Sequence, residues 1–295
     1  MSTAPFRLMG VVNVTPDSFS DGGVYLEASA AIAHARELVG EGADILDVGG
    51  ESTRPGAEPV SAEEEMGRVL PVLEGIAALD WTSVGHARPQ VSIDTSKAAV
   101  ARAAIAAGAG IVNDVSALRG DSGMVELLVE SGADCCLMHM LGEPRTMQRE
   151  PHYEDVVDDV RAFLEQRLRF AVDAGIAEER IMLDPGIGFG KTIEHNLTLL
   201  RRLHELTTLG RPLLIGTSRK SFLGRILAEE SGRGEPVEPA GRLAATIASN
   251  VLALERGASV FRVHDVAPVR EALTVAAATL GQRWTARSEG TNQTS

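Results

Sequence analysis

Short apolar runs rich in β-branched residues alternate, along nearly the whole chain, with longer runs whose apolar positions recur every three to four residues. The short runs lie at 8–12, 44–48, 90–94, 111–113, 135–139, 181–184, 212–216 and 260–263. Their length and residue types predict strands. The longer runs lie at about 29–40, 62–79, 96–107, 122–131, 154–174, 194–206, 219–230, 240–256 and 266–279, and their spacing predicts amphipathic helices. Eight strands, each followed by a helix, predict an α/β fold: a parallel sheet closed into a (β/α)8 TIM barrel as a single domain. An open doubly wound sheet is the alternative that the same alternation allows. No compositional shift marks a domain boundary, so one domain is expected over 1–284. Residues 285–295 are small and polar and predict a disordered tail. Two stretches rich in Gly, Pro and charge, 82–89 and 229–239, read as surface excursions far from the mouth.

The polar residues are placed unevenly with respect to these strands. NVTPDSFSDGG follows the first from Asn13, and GGESTRPG follows the second from Gly49. The third ends in SIDT from Ser92, the fourth in Asn113-Asp114, and the sixth in DPGIGFG from Asp184. The seventh ends in TSRKS from Thr217 and the eighth in Arg262-Val-His264. In a barrel all these ends gather at one mouth, the face that carries catalysis. The Gly-containing segments after strands one and two predict mobile lids.

Composition narrows the field. The chain has 295 residues, 44% of them hydrophobic but only 4% aromatic, so Ala, Val, Leu and Ile must fill the core. A formal net charge of −13 argues against a nucleic-acid surface, since backbone phosphates would be repelled. It leaves room for a small anion held by a few focused cations. The longest apolar runs are too short to span a bilayer, and no secretory signal opens the chain, so a cytoplasmic protein with no membrane partner is expected. Cys135 and Cys136 are the two cysteines. As neighbours on a strand they face opposite ways and are expected to be reduced core residues.

Each candidate has a plain structural reading beside the functional one. Arg262 and His264 share a strand face and would make a cation pair for phosphate, or be a surface Arg with a capping His. Asp94 and Asp184 end apolar strands, where a carboxylate needs a partner or a ligand, yet either could be a helix N-cap. Arg219-Lys220-Ser221 stands where a strand turns into a helix, so its backbone amides should favour an anion. GIGFGKT from Gly186 is not a phosphate loop, because Pro185 occupies the place of the first glycine. GDSG from Gly120 has no His/Asp pattern around it. His139 reads as a hydrogen-bonded strand-end residue, and the seven histidines show no metal spacing.

Taken together, NVTPDSFSDGG, GGESTRPGA, SIDTSK, NDVS, LMHM, LDPGIGFGKT, GTSRKSFLG and RVHDV resemble the dihydropteroate synthase family in order and spacing, from about Met9 to Ala267. The resemblance implies joining of p-aminobenzoate to 6-hydroxymethyl-7,8-dihydropterin diphosphate, with Asp184 accepting the ring N–H and 2-amino group of the pterin. It implies that Asp94 and Asn113 read the rest of the ring edge, that Lys220 meets the carbonyl oxygen and a ring nitrogen, and that Met138 and Phe189 line the slot. For the diphosphate it implies Asn13, Arg262 and His264 with a Mg²⁺ that Asn13 helps to hold, and Thr53 and Arg54 closing over the leaving group. For p-aminobenzoate it implies Ser221 at the carboxylate, Phe19 and Pro55 around the ring, and Asp21 orienting the amine. A homodimer is implied as well. A corrinoid-linked pterin methyltransferase would share the pterin slot without needing the SRK and RVH anion site. A catalytically silent pterin-binding paralogue would need neither that site nor the first loop.

Overall fold

Strands buried on both faces must be apolar in both registers, and here they are. The outward residues of each strand, such as Leu46 and Val48 or Leu137 and Leu183, join the apolar faces of the helices in one large core. The inward residues Met9, Ile45, Ile111, Cys136, Met182, Leu214 and Val260 pack with one another as a separate cluster inside the ring of strands. The computed structural model describes residues 5–14, 24–52, 58–85, 87–142 and 146–282. The strands are β1 (Arg7–Asn13), β2 (Ile45–Gly49), β3 (Gln90–Asp94), β4 (Ile111–Asp114), β5 (Asp134–Met138), β6 (Ile181–Asp184), β7 (Leu214–Ile215) and β8 (Val260–Val263). The α-helices are α1 (Val24–Gly40), α2 (Ala62–Ala78), α3 (Ala98–Ala106), α4 (Gly123–Ser131), α5 (Val156–Asp173), α6 (Ile193–Arg201), α7 (Ser221–Glu230), α8 (Leu243–Glu255) and α9 (Val266–Thr279).

All strand pairs are parallel, in the order β6-β5-β4-β3-β2-β1-β8-β7. The ring closes between β6 and β7 through one bridge, Leu183 with Leu213, where Leu183 N donates to Pro212 O at 3.0 Å. This is the TIM barrel, not the open sheet. The strand expected at 212–216 keeps ladder pairing with β8 at only two positions, Leu214 with Val260 and Ile215 with Phe261. Beyond them Thr217 turns to bond side chains of α8.

Helix starts and breaks differ from the periodicity. The first helix begins at Val24 rather than 29. The run 194–206 is two pieces, α6 and then a 3-10 segment, Leu203–Leu209. Arg202 at the junction is drawn to Asp155 and Glu205, while Leu199, Leu200, Leu203 and Leu206 stay buried across it. The apolar spacing therefore reads straight through the break. Similarly, the run 240–256 opens with a 3-10 turn, Pro239–Arg242, before α8.

The two excursions part company. The described residues of the first, 82–85 and 87–89, precede β3, at the end opposite the mouth. The excursion 229–239 is not remote: Val237 N donates to Gly224 O on α7, and Arg242 just after it donates to Arg219 O in the turn after β7. Cys135 faces the outer core and Cys136 the barrel interior, both free and buried. Burial pushes the Cys135 thiol up to about 12. Among the described residues no helix is long and apolar enough to cross a membrane. The tail at 285–295 lies outside the described residues.

Candidate active site

The apolar floor of the barrel gives way to polar groups two residues further along each strand, because side chains repeat with period two. Ile45 is followed by Asp47, Ile111 by Asn113, Met182 by Asp184, Cys136 by Met138, and Val260 by Arg262 and then His264. On β3 the same face carries Ser92 and Asp94. Parallel strands bring all of these to one mouth.

At its centre lies Arg262. Its Nε donates to Asp47 Oδ2 at 2.6 Å and its Nη2 to Asp94 Oδ2 at 2.9 Å. Asn113 Nδ2 donates to the same Asp47 oxygen at 3.1 Å. Burial pushes Asp94 up to about 7, opposed by Arg262 and reinforced by the carboxylates of Asp47, Glu65 and Asp114. Burial would lower the Arg262 guanidinium, but Asp47 and Asp94 outweigh it and hold the group charged. Asp47 is the residue that sequence reasoning missed. It is fully buried, and its Oδ1 has no partner among the described residues. A signal for it exists in the sequence: an acid in the middle of an apolar strand, on the face that Ile45 assigns to the interior.

Asp184 and Lys220 form the second group. Asp184 Oδ1 accepts the Gly186 amide at 2.7 Å, in a loop that glycine makes possible. Gly186 has φ +67, and a Cβ there would lie 1.8 Å from His139 O. Lys220 Nζ sits 4.0 Å above the Phe189 ring centroid. Burial raises Asp184 to about 6, against the pull of the Gly186 amide, Lys220 and Lys191. It lowers Lys220 to about 8, helped by Arg262. Met138, Met140 and Met147 with Val115 and Phe189 make an apolar wall. His139 accepts or shares a hydrogen bond with buried Lys191 Nζ at 2.9 Å. Burial and that ammonium push its ring down to about 2, so it stays neutral.

The N-cap reading fails for both acids. Helix α3 is capped at Lys97 with its next amide taken by Asp121, and α6 is capped by Thr192. The expected cation pair is corrected too. Burial and the charges of Arg262 and Arg219 push His264 down to about 3, and its Nδ1 lies 3.0 Å from Ser218 Oγ. The strand end thus presents one cation and one neutral imidazole. Arg219 does not face an anion site either, since its guanidinium is clasped by Asp265 at 2.6 and 3.0 Å. Ser221 is exposed at the start of α7, whose N-cap Lys220 gives no side-chain cap to the first-turn amides. Asn13 ends β1, half-buried and paired in register with Gly49. Phe19, Asp21, Thr53, Arg54 and Pro55 lie outside the described residues. Among those described, no group of three His, Cys, Asp or Glu could hold a metal ion.

Comparison with known proteins adds an independent line. Residues 9–264 match the family model of the pterin binding enzymes. The chain is 45% identical over 283 residues to the dihydropteroate synthase of Escherichia coli, covering 96% of this chain and 95% of that one. A solved Yersinia pestis dihydropteroate synthase with a sulfonamide drug complex superposes with a TM-score of 0.85 at 41% identity, covering 95% of this chain and 96% of the other. The Xanthomonas albilineans enzyme in complex with 7,8-dihydropteroate does so with a TM-score of 0.78 at 43% identity, covering 95% of each chain.

Proposed function

The chain belongs to the pterin binding enzyme family and acts as a dihydropteroate synthase, and we propose from that premise how its own residues carry the reaction. The substrates are p-aminobenzoate and 6-hydroxymethyl-7,8-dihydropterin diphosphate; the products are 7,8-dihydropteroate and diphosphate. The observation that carries the reading is a buried carboxylate, Asp184, in electrostatic reach of the half-buried ammonium of Lys220, beside an arginine-centred polar cluster at one barrel mouth. A flat heterocycle with adjacent donors and a nearby carbonyl matches the first pair, and a leaving diphosphate matches the second.

Asp184 accepts the ring N–H and the 2-amino group, and Lys220 donates to the carbonyl oxygen and a ring nitrogen. Asp94 and Asn113 read the remaining edge, while Met138 and Phe189 flank the ring. The bond from methylene carbon to diphosphate oxygen breaks, the pterin delocalises the cation left behind, and the amine nitrogen of p-aminobenzoate then bonds that carbon and releases a proton. A dissociative course of this kind needs anion stabilisation more than a strong base. Arg262 supplies it with neutral His264 as a hydrogen-bond donor, and Thr53 and Arg54 cover the leaving group. Ser221 and the first amides of α7 receive the aryl carboxylate. Phe19 and Pro55 hold its ring, and Asp21 orients the amine.

The donor set fits a magnesium ion that arrives with the diphosphate. Mg²⁺ needs only one or two protein oxygens when phosphates and water fill its shell, and Asn13 offers one at the mouth. When bound, the ion would neutralise charge on the departing diphosphate. By the family resemblance we also place the enzyme in the cytoplasm as a homodimer.

Purified protein mixed with Mg²⁺ and both substrates should form dihydropteroate and one diphosphate per turnover. Absence of both products under all conditions would sink the reading, and methyl transfer without diphosphate would favour the methyltransferase. Pterin affinity should also depend on pH. Only ionised Asp184 accepts two donors, so affinity should rise with pH through about 6. It should fall again as Lys220 loses its proton near 8. Titration calorimetry with a pterin between about pH 5 and pH 9, spanning both transitions, checks this, and a flat profile would refute both assignments.

A further inference from the structure

Arg219 has φ 58, a left-handed conformation that a residue with a Cβ adopts only when its surroundings impose it. Groups from α8 and its leading turn hold the Arg219 backbone from both sides. Thr246 Oγ1 accepts its N–H at 3.2 Å, and Arg242 Nη1 donates to its carbonyl at 2.7 Å. Arg242 is itself buried, 8% exposed. Its Nε donates to Val237 O at 2.6 Å, and Val237 N in turn donates to Gly224 O on α7 at 3.0 Å. The notch it fills exists because residue 224 is glycine, where a Cβ would lie 2.5 Å from Arg242 Nε. A buried guanidinium committed to two backbone carbonyls spends its hydrogen bonds on holding chain geometry.

What that geometry controls follows directly along the chain. Lys220 is anchored a second time, at its tip, by the Phe189 ring. The chain enters α7 through the Arg219 turn; Phe222 and Leu223 are buried in the outer core, whereas Ser221 between them and the turn is exposed, so the Arg219 turn bears most directly on Ser221 and the amides beside it. We propose that Arg242 is a positioning residue for the aryl carboxylate subsite: it holds the Arg219 carbonyl and thereby aims the start of α7 at the mouth. The proposal rests on the reading that p-aminobenzoate docks its carboxylate at Ser221. Arg242 touches neither substrate.

Steady-state kinetics with p-aminobenzoate, pterin titration and thermal unfolding are to be run on four variants. Arg242→Ala should raise KM for p-aminobenzoate by about tenfold or more, the scale of one lost charge-assisted hydrogen bond. Pterin affinity should change by less than about threefold, since the Lys220 tip keeps its second anchor. Gly224→Ala should shift KM in the same direction, although Ala favours helix more than Gly. Val251→Ala loosens the same helix α8 away from Arg219 and should leave KM for p-aminobenzoate unchanged. Ser221→Asp sets a like charge against the carboxylate and separately tests the docking position. If Ser221→Asp raises KM and Arg242→Ala does not, the positioning role is overturned while the docking site stands. If Ser221→Asp leaves KM unchanged, the docking site fails and the proposal falls with it. A KM rise in Val251→Ala matching that in Arg242→Ala, in step with lost thermal stability, would also overturn it.

Discussion

Asp184→Asn should abolish useful pterin binding while leaving the empty protein as stable as the original or more so at pH 7. The binding loss follows from donor count. A carboxylate accepts from two adjacent donors, whereas an amide turns its own NH₂ toward one of them. Losing one charge-assisted hydrogen bond and opposing another donor should weaken pterin binding by about a hundredfold or more. The stability gain follows from burial, which raises Asp184 to about 6 from an ordinary 3.8. Ionising it in the fold at pH 7 therefore costs about 3 kcal/mol, a cost the neutral amide does not carry. The sign with pH is fixed by the raised pKa. Stability from the protonated acid is complete below about 3.8 and is lost as pH rises through about 6. The variant's advantage should thus appear at pH 7 and vanish near pH 4. Urea unfolding at both pH values, beside calorimetric titration with a pterin, measures the two halves; a variant that binds normally, or is least stable at pH 7, contradicts the assignment.

Arg262→Ala should lower kcat/KM by at least about a thousandfold, through lost stabilisation of the departing diphosphate. It should also destabilise the fold, for a different reason. Arg262 bridges Asp47, which is fully buried, and Asp94, and removing one member of a buried pair typically costs about 3–5 kcal/mol. The two effects separate in a second variant. Arg262→Ala combined with Asp47→Asn removes the stranded charge and should recover much of the stability and none of the activity. Arg262→Lys keeps the charge but cannot reach two carboxylates with a planar fork, so it should remain strongly impaired. If the double variant stays as unstable as Arg262→Ala alone, Asp47 is not the source of the penalty.

Much of this protein is legible in its amino-acid sequence. Local spacing tells strand from helix, and the period of two assigns each strand residue to the barrel floor or the outer core. That is why Cys135 and Cys136 divide between two cores and why Asn113, Asp184 and Arg262 fall on the interior face. The same rule points to Asp47, a single acid in an apolar strand that carries no motif to draw the eye. Motif order supplies the family and, with it, the chemistry.

Partners and charge states are decided only by the tertiary structure. Arg262 and Asp47 are 215 residues apart, and no local pattern states which strands a closed barrel makes neighbours. The neutral state of His264 depends on burial beside two arginines, so its residue type alone suggests a cation that is not there. Arg219 likewise belongs to a basic tripeptide but turns to Asp265 because α8 holds its backbone left-handed. The break after α6 is invisible to periodicity because its buried leucines continue through it. Sequence determines the face a side chain takes, since that follows from backbone geometry within a few residues. Barrel closure determines what it meets there, and burial then sets its charge.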